Sequence, residues 1–201
     1  MISAILLSAG ESRRMGSQNK LLMPLGSTTL IEQSVDHLLG SKAQEVIVVL
    51  GHEATRVRKV LTGRKLKFVE NHDYREGMTT SIQAGLRAVA SETKGMMICL
   101  SDLPNIEAKE FDTIIDVFEA GRRKNEKLIV VPTYRDKPGN PVIFASHYRA
   151  RILAHEEPGG CKGVIEQNSD QVVHAIMSTA HVLEDIDTET EYESHLRGGT
   201  P

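Results

Sequence analysis

Leu6-Leu7-Ser8-Ala9-Gly10-Glu11-Ser12-Arg13-Arg14-Met15-Gly16-Ser17-Gln18-Asn19-Lys20-Leu21-Leu22 begins at the end of an apolar run and becomes a small-residue, charged loop. Short hydrophobic runs bounded by turn residues form buried strands, so residues 2–7 are expected as a strand with the loop as its exit. Gly10 and Gly16 let the backbone turn sharply and leave no Cβ in a ligand's way. Arg13, Arg14 and Lys20 add three cationic side chains to the loop's backbone N–H groups, a combination suited to a polyphosphate. The spacing is not that of a P-loop, and no Gly-x-Gly-x-x-Gly follows the first strand. The residues alone leave open an ordinary strand-to-helix loop with solvated arginines.

Downstream, strand-like and helix-like segments alternate. Leu30, Ile31, Val35, Leu38 and Leu39 have helical spacing, which predicts a helix over 28–39 ended by Gly40. The β-branched run 45–50 predicts a buried strand, followed by a helix carrying Val57, Val60 and Leu61 and a short strand over 66–69. A helix over 79–90, a strand over 95–100, a helix over 106–120 and a strand over 128–131 continue the pattern. Repeated βα units imply a three-layer α/β/α, Rossmann-like fold with a mostly parallel sheet. Such sheets collect ligands beyond the carboxyl ends of their strands, where Ser8-Ala9-Gly10, Asn71 and Ser101-Asp102 fall.

After Pro132 the pattern loosens. An antiparallel strand is expected over 141–144, a helix over 146–155, a flexible loop over 158–163, and short strands over 172–176 and 182–186. Thr188 reads as the N-cap of a last helix, with Glu191 at the capping-box position.

The chain has 201 residues, which as a single domain can bury a substantial core. A net charge of −3, no Trp and 4% aromatics argue against nucleic-acid wrapping or stacking platforms, so the basic loop acts locally. The eight histidines are scattered and the two cysteines, Cys99 and Cys161, are not spaced for zinc. Cys99 sits in an apolar run and reads as a core thiol; Cys161 has no histidine placed by spacing to activate it. Met1 to Leu7 lacks a basic leader and is too short to span a bilayer, so a cytoplasmic, membrane-free protein is expected.

Residues 7–16, followed by Lys20-Leu21-Leu22, resemble the signature loop of the molybdenum cofactor nucleotidyltransferases. These are MobA-like members of a superfamily with a glycosyltransferase-A type (nucleotide-diphospho-sugar transferase) fold. The resemblance extends to Gly77-Met78-Thr79-Thr80-Ser81-Ile82-Gln83-Ala84-Gly85-Leu86, Leu100-Ser101-Asp102-Leu103-Pro104, Gly139-Asn140-Pro141-Val142 and Asp185-Ile186-Asp187-Thr188. It covers nearly the whole chain, and its cytidylyltransferase branch matches best because Ala9-Gly10 stands where guanylyltransferases carry a glycine pair.

The resemblance implies transfer of CMP from CTP to the phosphate of molybdopterin or the molybdenum cofactor, with Mg²⁺ and release of pyrophosphate. Residues 1–133 would form the nucleotide-binding half and 134–201 the acceptor half. Arg14, Lys20 and Asp102 are the implied catalytic residues, with Asp102 and Asp187 as metal ligands. Asp102 is also suited to starting the turn before Pro104, Asp187 to capping the last helix, and Asp185 is the alternative second ligand. Leu7, Ser8, Ala9, Gly10, Arg13, Gly16, Thr80, Ser81 and Gly85 are implied at the nucleotide, and Asn140 and Lys162 at the acceptor. The loop Gly160-Cys161-Lys162-Gly163 departs from the family's Gly-Asp-x-Gly, which leaves the acceptor open. A molybdenum hydroxylase or its maturation factor is the implied partner. The alternatives are a GTP-using enzyme, one with another phosphorylated acceptor, and a non-catalytic delivery protein.

Overall fold

The computed structural model describes residues 1–15 and 18–197, with only the backbone of Arg13. Its elements in order are β1 (Ile2–Ser8), β2 (Pro24–Leu25), β3 (Thr28–Thr29), α1 (Leu30–Leu39), β4 (Glu45–Leu50), α2 (Ala54–Val60), β5 (Lys67–Glu70) and α3 (Met78–Ala88). There follow β6 (Gly95–Leu100), α4 (Ala108–Gly121), β7 (Ile129–Tyr134), β8 (Lys137–Pro138), β9 (Val142–Ala145), α5 (Arg149–Leu153), α6 (Lys162–Glu166), β10 (Val172–Ile176) and α7 (Glu189–Leu196).

The main sheet runs β10-β7-β9-β6-β1-β4-β5, with β8 beside β7 and the β2–β3 hairpin apart. β1 lies parallel to β4 and β6, and β4 to β5; β9 runs antiparallel between β6 and β7. β1 is buried almost throughout, as the centre of a sheet covered on both faces requires. The two faces are assigned by the period of two in a strand. A Cβ on Gly85 of α3 would meet Ile5, whereas one on Gly95 would meet Ile2 and Phe118 of α4. Ile2 and Ile5 have opposite parity, so α3 and α4 cover opposite faces. The expected three-layer fold is present. Among the described residues no helix is long and apolar enough to cross a membrane.

Several expected boundaries move for local reasons. Residues 28 and 29 belong to β3, and Thr29 is the N-cap of α1, completing a capping box with Glu32. The helix expected over 146–155 is a 3₁₀ turn leading into the short α5. Gln83 Nε2 reaches the carbonyls of Ile152, Leu153 and His155 and so ends α5 against α3. The loop expected over 158–163 stops at Cys161, where α6 begins, and Thr79 Oγ1 accepts from Gly160 N at 3.0 Å.

The strand expected over 182–186 is absent. Residues 181–183 form a 3₁₀ turn, and Glu184, which would share a strand face with buried Val182 and Ile186, is only half-buried. β9 covers β6 only as far as Ile98, opposite Val142, and no ladder forms between 182–186 and the remaining end of β6. The chain crosses the strand ends instead, with Ile186 N donating to Asp102 O at 2.9 Å.

Candidate functional site

Beyond β1 the chain turns across the carboxyl end of the sheet. His52 N donates to Ala9 O at 3.1 Å, tying this turn to the end of β4. Gly51 has no room for a side chain, since a Cβ there would lie 2.7 Å from Ala9 Cβ. A Cβ on Gly10 would meet nothing within 4 Å, so the space it faces is open to a ligand. Ser12 adopts φ 51°, a left-handed conformation that is costly for a residue with a side chain. It is held there from both ends: its Oγ accepts from Lys20 N at 3.2 Å and its carbonyl from Met15 N at 2.8 Å. Buried Met15 and Leu21 anchor the loop in the core, leaving Arg14 and Lys20 at the cleft.

Three elements distant in sequence bring charge to one point. Lys20 Nζ donates to Asp102 Oδ2 at 2.8 Å and to Asp187 Oδ1 at 2.7 Å. Arg14 Nη1 donates to Asp187 Oδ2 at 2.6 Å. The Lys20 side chain is only 12% exposed while Arg14 is 72% exposed, so the first pairing is sheltered and the second faces water. Burial works against the Lys20 charge, but Asp102 and Asp187 outweigh it and raise its pKa above 10.5. Burial likewise works against the Asp187 carboxylate, yet Lys20 and Arg14 hold its pKa below 3.8.

Asp102 is placed by the end of β6, where Ser101 Oγ donates to Leu7 O at 2.7 Å. Asp187 is placed by the Ile186–Asp102 backbone bond and by the start of α7. Glu191 Oε2 accepts from Asp187 N at 2.8 Å and from Thr188 N at 2.7 Å, completing the expected capping box. Asp185, one residue before Ile186, does not line the cleft. Burial and the nearby Asp187, Asp102 and Glu191 push its carboxyl above 3.8.

The cleft encloses 450 Å³, within the range of small-molecule sites. Of the residues singled out in the sequence it gathers Leu7, Ala9, Gly10, Arg14, Lys20, Ser81, Asp102 and Asp187. Ser81 is oriented by Asn71, whose Nδ2 donates to Ser81 Oγ and to Thr80 Oγ1, both at 2.9 Å. Thr80 is thereby engaged with Asn71 and the turn before α3 rather than with the cleft. Ser8 is buried beneath the loop. Gly85 lies in the interior, where a Cβ would meet Ile5 Cγ2 at 2.3 Å, so its place is in helix-to-sheet packing.

Asn140 and Lys162 also lie off the lining. Asn140 precedes a cis peptide bond to Pro141 and donates its backbone N–H to Val182 O at 3.0 Å; the Lys162 side chain is 83% exposed on α6. Gly16 and the Arg13 side chain lie outside the described residues. The cleft further contains Glu11, Tyr74, Arg75 and Met78, to which the sequence assigned no role. Arg75 Nε donates to Glu11 Oε1 at 3.3 Å across the mouth. The only signal for Tyr74 and Arg75 was that they stand just before the motif at 77–86.

The donors fit a divalent cation. Asp102 Oδ1 is buried and has no hydrogen-bond partner among the described residues, while Oδ2 and an Asp187 oxygen converge on one cationic group. Carboxylate oxygens suit a hard ion such as Mg²⁺ or Mn²⁺. No cluster of three or more His, Cys, Asp or Glu suited to a metal occurs among the described residues, so phosphate and water oxygens would have to complete the shell.

The chain has similar proteins among those of known name or structure. A nicotine blue oxidoreductase of Paenarthrobacter nicotinovorans is 26% identical over 154 residues, 76% of this chain and 75% of its own length. The molybdenum cofactor cytidylyltransferase of Escherichia coli is 22% identical over 192 residues, 95% of this chain and 93% of its own. The crystal structure of Rv0371c from Mycobacterium tuberculosis superposes with a TM-score of 0.85 at 24% identity, covering 98% of this chain and 97% of that one, and so shares the fold. The model of the MobA-like NTP transferase domain matches residues 4–172, which spans β1, the charged loop, Asp102 and the sheet through the start of β10, and the chain belongs to that family.

Proposed function

We propose that this nucleotidyltransferase moves CMP from CTP to the phosphate of molybdopterin or of the molybdenum cofactor and releases pyrophosphate. The observation that carries the reading is the meeting of Lys20, Asp102 and Asp187 at the open glycine loop. The cytidylyltransferase relative, aligned along 95% of the chain, supports the choice of substrates.

In this reading an oxygen of the acceptor's phosphate attacks the α-phosphorus in line. The bond to the β-phosphate breaks, and pyrophosphate leaves with its electron pair. The protein's task is positioning and neutralising charge. Arg14 and Lys20 hold the phosphate chain, with the loop's backbone N–H groups around Gly10 beneath it. Asp102 and Asp187 hold a divalent cation, which neutralises charge on the triphosphate when bound. Ser81 and the backbone of Leu7 and Ala9 face the base, and the Ala9 methyl narrows the site toward a pyrimidine. The acceptor approaches from the side built by residues 134–201, where Asn140 and Lys162 stand, and a molybdenum hydroxylase or its maturation factor receives the product.

The test is pyrophosphate release with molybdopterin and Mg²⁺ or Mn²⁺, comparing CTP, GTP, ATP and UTP. Acceptor-dependent release with CTP, abolished in a folded Asp102→Ala variant, is expected. Release with GTP alone would transfer the reading to guanylyl transfer. The oxidoreductase relative favours a second reading, redox chemistry in the same cleft, and that reading expects no acceptor-dependent release with any of the four.

A further inference from the structure

We propose that the Lys20 ammonium holds the place of the divalent cation between Asp102 and Asp187, and that metal enters only as a triphosphate draws Lys20 away. The inference rests on the metal-dependent reading given above. Its basis is that the two oxygens a shared cation would need, Asp102 Oδ2 and Asp187 Oδ1, are the two that Lys20 Nζ bonds.

Two carboxylates held this close repel each other unless a cation lies between them. Lys20 supplies that cation from within the chain, and its low exposure keeps water from screening the pairing. Arg14 does not share this role. Among the described residues it pairs with Asp187, at the other oxygen, and from the solvent side. Asp102 Oδ1, buried and without a hydrogen-bond partner among the described residues, marks the side from which the cluster is under-filled by a monovalent ammonium.

Lysine suits a placeholder that must leave. Its charge is compact, sits on a flexible four-carbon stem and makes no planar two-point pairing that would fix it. The loop's anchors, Met15 and Leu21, flank Lys20 but do not include it, so its side chain can turn toward a phosphate without the loop leaving the core. A metal ion arriving alone must compete with a tethered ammonium. When it arrives with a triphosphate, Lys20 exchanges carboxylate for phosphate oxygens and the carboxylates exchange ammonium for metal. Metal and nucleotide binding are then coupled, and linkage makes that coupling reciprocal. The device keeps free metal off the site and spares the carboxylates an uncompensated state between turnovers.

The test is Mn²⁺ binding to the nucleotide-free protein, followed by electron paramagnetic resonance, in wild type and in Lys20→Met. Methionine keeps much of the side-chain volume and removes the charge. Mn²⁺ should bind Lys20→Met at least tenfold more tightly than wild type, and the gain should vanish in Lys20→Met/Asp187→Asn. If unpaired carboxylates loosen the fold of Lys20→Met, Mn²⁺ should raise its melting temperature more than that of wild type, because a ligand bound only by the native state stabilises it. Equal or weaker Mn²⁺ binding by Lys20→Met, with no larger thermal shift, overturns the placeholder while leaving the metal site standing. No Mn²⁺ binding by either protein, with or without α,β-methylene-CTP, overturns the metal-dependent reading and the placeholder with it.

Discussion

Replacing Gly85 by alanine separates two meanings of one glycine. A Cβ there would lie 2.3 Å from Ile5 Cγ2 and 3.0 Å from Val49 Cγ2. Comfortable carbon contacts lie at about 3.5–4.0 Å, so α3 must withdraw from β1 by more than about 1 Å. Ile5 and Val49 have no room to yield, both being fully buried in the sheet. Alanine brings back about 1 kcal/mol of helix propensity, against an overpacking cost of about 1–3 kcal/mol that extends to neighbouring Ile82 and Leu86. A net loss of up to about 2 kcal/mol is expected, which for a chain of this size lowers the melting temperature by up to about 8 °C. The assay is thermal unfolding beside equilibrium binding of the nucleotide, well below the melting point. Affinity should hold while stability falls. In an Ile5→Ala background the penalty should shrink, with a coupling of at least about 0.5 kcal/mol. An unchanged melting temperature with weakened nucleotide binding would refute the packing argument and move Gly85 to the ligand.

Asp187 has a depressed pKa in the fold, so the folded state binds fewer protons than the unfolded chain near and below 3.8. Its contribution to stability is present above that value and is lost as pH falls through the folded pKa. Asp187→Asn should therefore flatten the acid limb of a stability-against-pH curve below about pH 5, and an unchanged limb would remove the Lys20–Asp187 pairing from the stability of the fold. Ala9→Gly should raise GTP use relative to CTP, by no more than the roughly 10–200-fold that one methyl group can contribute; an unchanged ratio of kcat/KM values would place base choice elsewhere. Burial pushes the Cys161 thiol up to about 12, and raises that of Cys99 as well. Iodoacetamide at pH 8 should therefore label the native protein far more slowly than the denatured chain, and rapid labelling of Cys161 would contradict that environment.

What the sequence made legible follows period and turn chemistry. The β-branched run at 45–50 and the capping pair Thr188/Glu191 are local signals, and both elements appear where those signals put them. The same local logic misjudges 182–186. Val182 and Ile186 look like part of a strand, but no ladder includes them, and which segments pair with β6 and β7 is settled by elements far away in the chain. Gly85 is a second case, because glycine serves both close ligand approach and close helix packing, and only the position of Ile5 distinguishes them.

The cluster at Lys20 lies further beyond local reading. A strand over 182–186 would have pointed Asp185 and Asp187 to one face and left them equivalent. The crossing segment breaks that equivalence with one bond, Ile186 N to Asp102 O, which sets the next residue beside Asp102 while Asp185 stays off the cleft lining. The capping box then holds the Asp187 backbone through Glu191, so the helix that ends the described chain orients a carboxylate of the site. Sequence motifs could name Lys20, Asp102 and Asp187 as separate candidates. Their joint geometry depends on a segment outside any strand, held in register by backbone bonds to Asn140 and Asp102 and by a cap, and this makes α7 part of the site although only Asp187 at its threshold lines the cleft.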